Sequence, residues 1–245
     1  MERNASMVAS LVLAAGLGWA ASANAAIVTF YGADSGVGPG DPHPLSTAAA
    51  AAWDAAEGPH TLLTFEGLAT GSCGSVGSGT TATCTNLDPA FSGIQNTNMH
   101  TPTALGFNIT PGGTGWLEVG PNFSSPGGSV TFTFSAPVDA FGAYLTDTQV
   151  GFPGPITVTF NDGSAEVLSI TKTDNTGGAL FFGFTDFGKS FTSVTYNTGA
   201  TDTTRDIWGI DDARFSLAAV PEPASLLLLG SGLLGLAAIR RRKSS

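Results

Sequence analysis

Charge is scarce in this chain, and positive charge most of all. Only 11% of its 245 residues are charged, nine of them are Lys or Arg, and the formal net charge is −10. Five of those nine cations sit at the ends, at Arg3, Arg240, Arg241, Arg242 and Lys243. Between Ala26 and Ala219, Lys172, Lys189, Arg205 and Arg214 are the only cations against seventeen carboxylates, a net charge of −13. A field of that sign repels nucleic acid and gathers cations, which excludes a nucleic-acid partner. Histidine is almost absent. His43, His60 and His100 lie in Pro- or Asn-rich stretches without metal-ligand spacing. H-E-x-x-H, G-x-S-x-G and a Gly-rich phosphate loop are all missing, so the common signatures of metallohydrolases, serine hydrolases and nucleotide binders are absent. A glycosidase needs two facing carboxylates, but seventeen acids always contain some pair, so acidity alone is no evidence for one. The expectation is a protein that is not an enzyme. No repeat of fixed period is visible, which disfavours a β-helix or propeller.

What is present begins with targeting. Arg3, the apolar stretch Met7 to Trp19 and Ala23-Asn24-Ala25 read as a secretory signal over residues 1–25, cleaved before Ala26. Export places Cys73 and Cys84, the only cysteines, in an oxidising compartment. They bound a Gly/Ser/Thr stretch, GSCGSVGSGTTATC, with little apolar content to order it, and a disulfide between them is expected. About 195 residues then remain to fold, enough for one domain over residues 26–219.

Within that domain one stretch reads as helix. Ser46-Thr47 precede AAAAAWDAAE, and Gly58-Pro59 end it. Alanine has the best helix propensity, Ser46 supplies a cap, and Trp53 is the side chain to dock the helix on a sheet. From Thr61 the period changes to two. TLLTFEGL, Leu105 to Ile109, Trp116 to Val119, Ser129 to Ser135 and VDAFGAYLTD all read as strands. In the fourth, Val130, Phe132 and Phe134 share one face and threonines the other. Asn161-Asp162-Gly163-Ser164 joins two further strands as a hairpin, and Leu180 to Phe184, Phe191 to Asn197 and Ile207 to Phe215 complete about ten. The fold class expected is all-β: an antiparallel sandwich or jelly roll with one short helix.

The last twenty-six residues, VPEPASLLLLGSGLLGLAAIRRRKSS, have three parts in fixed order: Pro221-Glu222-Pro223, an uncharged run from Ala224 to Ile239, and Arg240, Arg241, Arg242 and Lys243. The prolines hold the backbone extended around Glu222. Sixteen helical residues span about 24 Å against a hydrocarbon core of roughly 30 Å, a marginal transmembrane helix suited to a temporary hold. The basic block stays cytoplasmic. This tail, residues 220–245, resembles the PEP-CTERM sorting signal of Gram-negative bacteria. The resemblance implies export by the secretion machinery and an inner-membrane-anchored precursor. It implies processing by the membrane transpeptidase exosortase at the Pro-Glu-Pro region, then residence at the cell surface or in the extracellular matrix. It also implies a structural or adhesive role associated with extracellular polysaccharide.

The segment from SAPVDAFGAYL through the NDGS hairpin to GIDDARF is similar to β-sandwich domains that precede such tails, and to jelly-roll carbohydrate-binding and galactose-binding-like modules. In modules of that kind an early Glu and a late Asp share a structural calcium between the terminal strands. The positions here are Glu66, in TFEGL, and Asp211 or Asp212, in GIDDARF. Calcium takes six to eight oxygens, so carbonyls and water would complete the set. Strict alternation sends Ile210 and Asp212 to one face and Asp211 to the other. A second candidate is a sugar site at the rim, with Trp208 as platform beside Asp202 and Arg205, and Trp116 as a further platform. Edge-strand carboxylates or an Asp paired with Arg214 or Arg205, and tryptophans in the core, are the alternatives.

Overall fold

The computed structural model describes residues 27–218, apart from 100–104, 123, 125–126, 150, 171, 173–174, 186–187 and 202–204. The expected signal peptide, the Pro-Glu-Pro motif and the expected transmembrane tail lie outside the described residues, as do His100 and Asp202. Among the described residues no helix is long and apolar enough to cross a membrane.

Twelve strands and one helix follow in order: β1 (Val28–Ser35), α1 (Pro44–Glu57), β2 (Thr61–Leu63), β3 (Ser75–Gly77), β4 (Thr80–Thr85), β5 (Leu87–Asn96), β6 (Gly115–Pro121), β7 (Ser129–Thr146), β8 (Ile156–Phe160), β9 (Ala165–Leu168), β10 (Gly178–Thr185), β11 (Phe191–Asn197) and β12 (Trp208–Leu217). All the pairings are antiparallel. The eighteen-residue β7 organises them. Its first half pairs with β4 and β11, and its second half with β10 and β12. One half therefore builds an outer sheet, β3-β4-β7-β11-β8-β9. The other builds a helix-side sheet, β5-β6-β12-β7-β10-β1, with β2 also against β12.

Residues of the two halves meet across the core. Phe132 lies 5.6 Å from Phe141 within β7 itself, Phe134 lies 5.0 Å from Phe215, and Tyr196 lies 6.2 Å from Trp208, all between ring centroids. The chain thus folds on itself at Ser135–Val138, and the inner faces of the two sheets bury one apolar core. This is the sandwich that the period-two pattern predicts, with the threonine face of Ser129–Ser135 left outside.

The helix forms a third layer. Ala49, Ala50 and Trp53 pack with Tyr144, Ala179 and Phe181 on the far face of the helix-side sheet. Trp53 is fully buried and donates its indole N–H to the Phe184 carbonyl, 3.2 Å away. Gly183 lies directly beneath the indole, where a side chain would collide with it. The expected Ser46 cap is corrected. The helix begins at Pro44, and its first amides are met from another element: Asp34 of β1 accepts from Leu45 N at 3.0 Å, Ser46 N at 2.7 Å and Ser46 Oγ at 2.8 Å. The carboxylate takes the role of a cap because an anion is stabilised by the free amides of a first turn.

One further expectation stands and two change. The Cys stretch holds the β3–β4 hairpin and is closed by the Cys73–Cys84 disulfide, whose Cα atoms lie 5.9 Å apart. TLLTFEGL keeps only three strand residues, because Phe65 adopts a left-handed conformation (φ 60°) and turns the chain out of the sheet. Leu105 to Ile109 is a loop with a single bridge, Met99 to Phe107. Phe107 N and Ile109 N donate to side chains of the sheet below and Asn108 N to the Asn98 carbonyl, so the segment joins no longer ladder. β5, which the sequence pattern does not announce, carries Pro89 and pairs only with β6. An edge strand tolerates that missing donor.

Candidate functional site

The loop that fails to become a strand carries the site. Gly106 packs against Trp116 and Gly209, where an added Cβ would lie 2.6 Å from Trp116 Cζ3 and 2.7 Å from Gly209 N. That closeness lets the following residues lie flat on the helix-side sheet. Phe107 exchanges two hydrogen bonds with the Thr146 hydroxyl, its amide donating at 2.9 Å and its carbonyl accepting at 3.0 Å. Ile109 N and Thr110 N then donate to Asp211 Oδ2, at 2.7 and 3.2 Å. Asp211 is fully buried.

Asp212 is where alternation breaks. Its φ of 44° marks a bulge, and the β12–β7 register shifts between Asp211 and Arg214. The extra residue puts both carboxylates on the helix side of the sheet, while Ile210 and Ala213 keep the core side. The expected split of the two aspartates across the sheet is therefore corrected. Thr110 Oγ1 lies 2.6 Å from Asp212 Oδ1 and 3.4 Å from Asp211 Oδ2, and its single proton goes to the nearer oxygen.

Glu66 reaches the same loop from the opposite side. Its Oε1 accepts from Asn108 Nδ2 at 3.0 Å, Thr114 N at 2.9 Å and Gly115 N at 2.8 Å. Asn108 Nδ2 also donates to the Gly115 carbonyl at 2.7 Å. The structure thus gathers Glu66, Asp211 and Asp212 around one loop, but around its amide hydrogens. Among the described residues no group of three or more His, Cys, Asp or Glu side chains is arranged to hold a metal ion. A calcium ion needs open oxygen lone pairs. Here Asp211 Oδ2 and Glu66 Oε1 face N–H groups instead, so this donor set does not fit the expected ion.

Electrostatics follow burial. Burial and then the neighbouring Asp212 charge raise Asp211 well above the usual carboxylate range. Asp212 is raised by burial, against the pull of the Thr110 hydroxyl and the Arg214 charge. Arg214 Nε donates to the Asp212 backbone carbonyl at 3.3 Å, and its Nη1 reaches a different carboxylate. It grips Asp54 of α1 at 2.8 and 2.9 Å and lies over the rings of Phe181 and Tyr144, at 5.2 and 5.6 Å. His60 completes this anchor, 3.3 Å from Asp54. Arg214 therefore holds the helix to the sheet.

Between the segment leading into α1 and the loop runs a cleft of ≈ 470 Å³, lined by Asp41, His43, Asn98, Asn108, Thr110 and Thr114 among others. The His43 ring stands edge-on to Tyr144, with centroids 5.7 Å apart. The cleft thus offers imidazole, amide, hydroxyl and carboxylate groups beside Ile109 and Pro111.

The expected sugar platforms are corrected. Trp208 and Trp116 are both fully buried, so neither can present a face to a sugar ring. Trp208 packs in the inter-sheet core beside Tyr196, and Trp116 donates its indole N–H to the Thr97 carbonyl at 2.7 Å. Arg205 Nε donates to the Thr201 carbonyl at 3.2 Å, and Asp202 falls outside the described residues. Sequence reasoning missed Asn108, Thr110 and Asp34. Each acts on a partner more than forty positions away or in another element, and no local pattern announces that.

At the far end of β7 and the start of β12, Asp147 and Asp206 form a further acidic pair near Lys172. Burial, then the Asp206 charge, pushes Asp147 up to about 7, and burial pushes Asp206 up to about 7 as well.

Residues 219–243 match the PEP-CTERM protein-sorting motif. The motif therefore starts two residues after β12 ends at Leu217. It marks the chain as an exported protein whose tail is a sorting signal. No curated protein matches the chain. Similar solved structures include a family 29 carbohydrate-binding module from Piromyces equi, 9% identical, covering 67% of this chain and 93% of that one at a TM-score of 0.37. A family 11 carbohydrate-binding module of a Clostridium thermocellum cellulase is 13% identical, covering 67% and 98% at 0.33. An exo-beta-agarase is 10% identical, covering 68% of this chain but 26% of that one at 0.39.

Proposed function

We propose that this chain is an exosortase-processed surface or matrix protein whose sandwich domain has a structural or adhesive role alongside extracellular polysaccharide. The observation that carries the reading is the sorting motif at 219–243, set directly behind a folded domain with a buried three-layer architecture. A non-catalytic role is supported by the state of the gathered acids. Asp211 and Glu66 are occupied as acceptors of backbone amides, which is the work of structural latches.

The test is made in the producing bacterium. Glu222→Gln leaves export intact, and unprocessed full-length chain accumulates in the membrane fraction while the processed form disappears from the surface. Release of protein of the same size and amount as wild type would overturn the reading.

A second reading, a binding module with a defined sugar, is favoured by the cleft, whose His43, Asn98 and Asn108 groups suit hydroxyl ligands. It requires saturable binding of one oligosaccharide that His43→Ala or Asn98→Ala abolishes.

A further inference from the structure

The outer sheet presents threonine in register on its solvent side. Thr83 of β4 is opposite Thr131 of β7, which is opposite Thr195 of β11, which is opposite Thr157 of β8. The next row along the strands repeats the pattern: Thr81, Thr133, Ser193 and Thr159. Directly opposed residues share a face, so these eight hydroxyl side chains form a grid four strands wide. The grid spacing is about 4.8 Å between strands and about 6.7 Å along them. Thr131 and Thr195 hydroxyls already meet at 2.9 Å. None of the eight is buried, while their immediate neighbours Val130, Phe132, Val158 and Val194 point into the core.

The grid is also uncharged and free of aromatic rings. That neutrality stands out in a domain carrying −13. At the turn beyond it Asp162 and Lys189 neutralise each other across 3.0 Å. β-propensity alone accounts for threonine on strands. The rows end at β9, where Ala165 and the exposed Val167 stand opposite Thr159 and Thr157. Propensity does not require all eight positions on β4, β7, β11 and β8 to be hydroxyls when charged residues are available to protect an outer sheet. An anionic polymer would be repelled by the rest of this acidic domain, and a cationic one would find no carboxylate on the grid.

We propose that this threonine face is the surface through which the protein contacts a neutral, hydroxyl-rich polysaccharide. This rests on the reading of the chain as a polysaccharide-associated surface protein, and gives it a site and a ligand class. Each threonine offers one hydroxyl to exchange hydrogen bonds with sugar hydroxyls and one methyl to lie against sugar C–H groups. A flexible polymer follows the twist of a sheet, whereas a flat crystalline lattice such as ice does not. Single contacts of this kind are weak, and retention comes from many along one polymer and from many copies of the protein.

The experiment is affinity electrophoresis of the full chain, in a detergent without a sugar head group, through gels containing a soluble neutral β-glucan or anionic alginate. Wild type is slowed by the glucan and not by alginate. Thr83→Lys with Thr133→Lys removes at least tenfold of the apparent affinity, and Ala52→Lys with Ala55→Lys, on the exposed side of α1, does not. Thr131→Val with Thr195→Val, which keeps shape and β-propensity, lowers it severalfold with an unchanged melt. Equal retardation of the face variants and wild type overturns the proposal. Loss on His43→Ala but not on the face variants moves the contact to the cleft, overturning this site while leaving the polysaccharide reading standing. Shaping of ice crystals without glucan retardation would also overturn it. A wild type slowed by no neutral polymer fails both readings of ligand, while Glu222→Gln still reports on sorting independently.

Discussion

Thr110 Oγ1 lies 2.6 Å from Asp212 Oδ1, and this bond fastens a loop to the one bulge that brings two neighbouring aspartates onto the same face. Glu66 holds the other end of the same loop through Thr114 and Gly115. The cleft is therefore walled by a segment that owns almost no ladder of its own and depends on three carboxylates for its position.

Thr110→Val keeps the shape of the side chain and removes the donor to Asp212. Leaving a part-buried carboxylate without that partner is expected to cost about 1–3 kcal/mol. Chemical denaturation of the purified protein measures it. Thr110→Ser, which restores the hydroxyl, recovers most of the loss. An unchanged midpoint in the valine variant would show that the two amide bonds to Asp211 suffice.

Asp34→Ala removes the acceptor that meets Leu45 N and Ser46 N. Loss of a capping carboxylate is expected to cost about 0.5–2 kcal/mol. The local signature is faster amide hydrogen exchange at Leu45 and Ser46 than elsewhere in α1. Burial raises Asp34, but the hydrogen bonds from Ser46 and Leu45 outweigh it and hold the carboxyl below its ordinary value. Its contribution is therefore complete at neutral pH and is lost only in acid.

Stability is expected to rise as pH falls from 8 to 5. Asp147 and Asp206 are pushed up to about 7 by burial in the folded state, against an ordinary value of 3.8. Between those limits the folded protein binds more protons than the unfolded chain, so stability falls as pH rises. The destabilisation is complete above about 7. Melting temperatures recorded across this range should be higher at pH 5 than at pH 8. Asp147→Asn with Asp206→Asn should flatten the profile, and a variant profile as steep as wild type would place the titrating groups elsewhere.

Melts in calcium and in EDTA are expected to coincide. Asp211 Oδ2 and Glu66 Oε1 already accept backbone amides, so an ion would have to displace those bonds. A calcium-dependent rise in melting temperature that Asp211→Asn or Glu66→Gln removes would restore the ion to the site.

Several parts of this structure were legible from residue order because their causes are local. Alternation of Val130, Phe132 and Phe134 with threonines fixes which face of the strand is buried, whatever it packs against. The alanine run specifies the helix, and Trp53 its docking side chain, because propensity and size act on the residue itself. Cys73 and Cys84 are the two cysteines of the chain and bound a short Gly/Ser/Thr stretch, so their pairing could be read from residue order. The sorting motif is a linear signal, so its three parts can be recognised in sequence alone.

Four features depended on contacts between distant positions. The bulge at Asp212 reverses the face that strict alternation assigns to it, because a single left-handed residue shifts the alternation by one from that point on. Leu105 to Ile109 has the composition of a strand, yet Thr146 and Asp211 claim its amides first. Trp116 and Trp208 have the size and polarity of sugar platforms or of core residues, and only tertiary packing sends both inside: Trp208 between the two sheets, Trp116 beneath the loop at Gly106. The register of Thr83, Thr131, Thr195 and Thr157 joins four strands drawn from across the chain, and hydrogen-bond pairing alone sets that row. Residue order alone settled the helix, most of the strands and the presence of a sorting signal. The tertiary structure decided which side chains meet, because register and burial are properties of pairs, and a pair separated by a hundred residues leaves no trace in either neighbourhood.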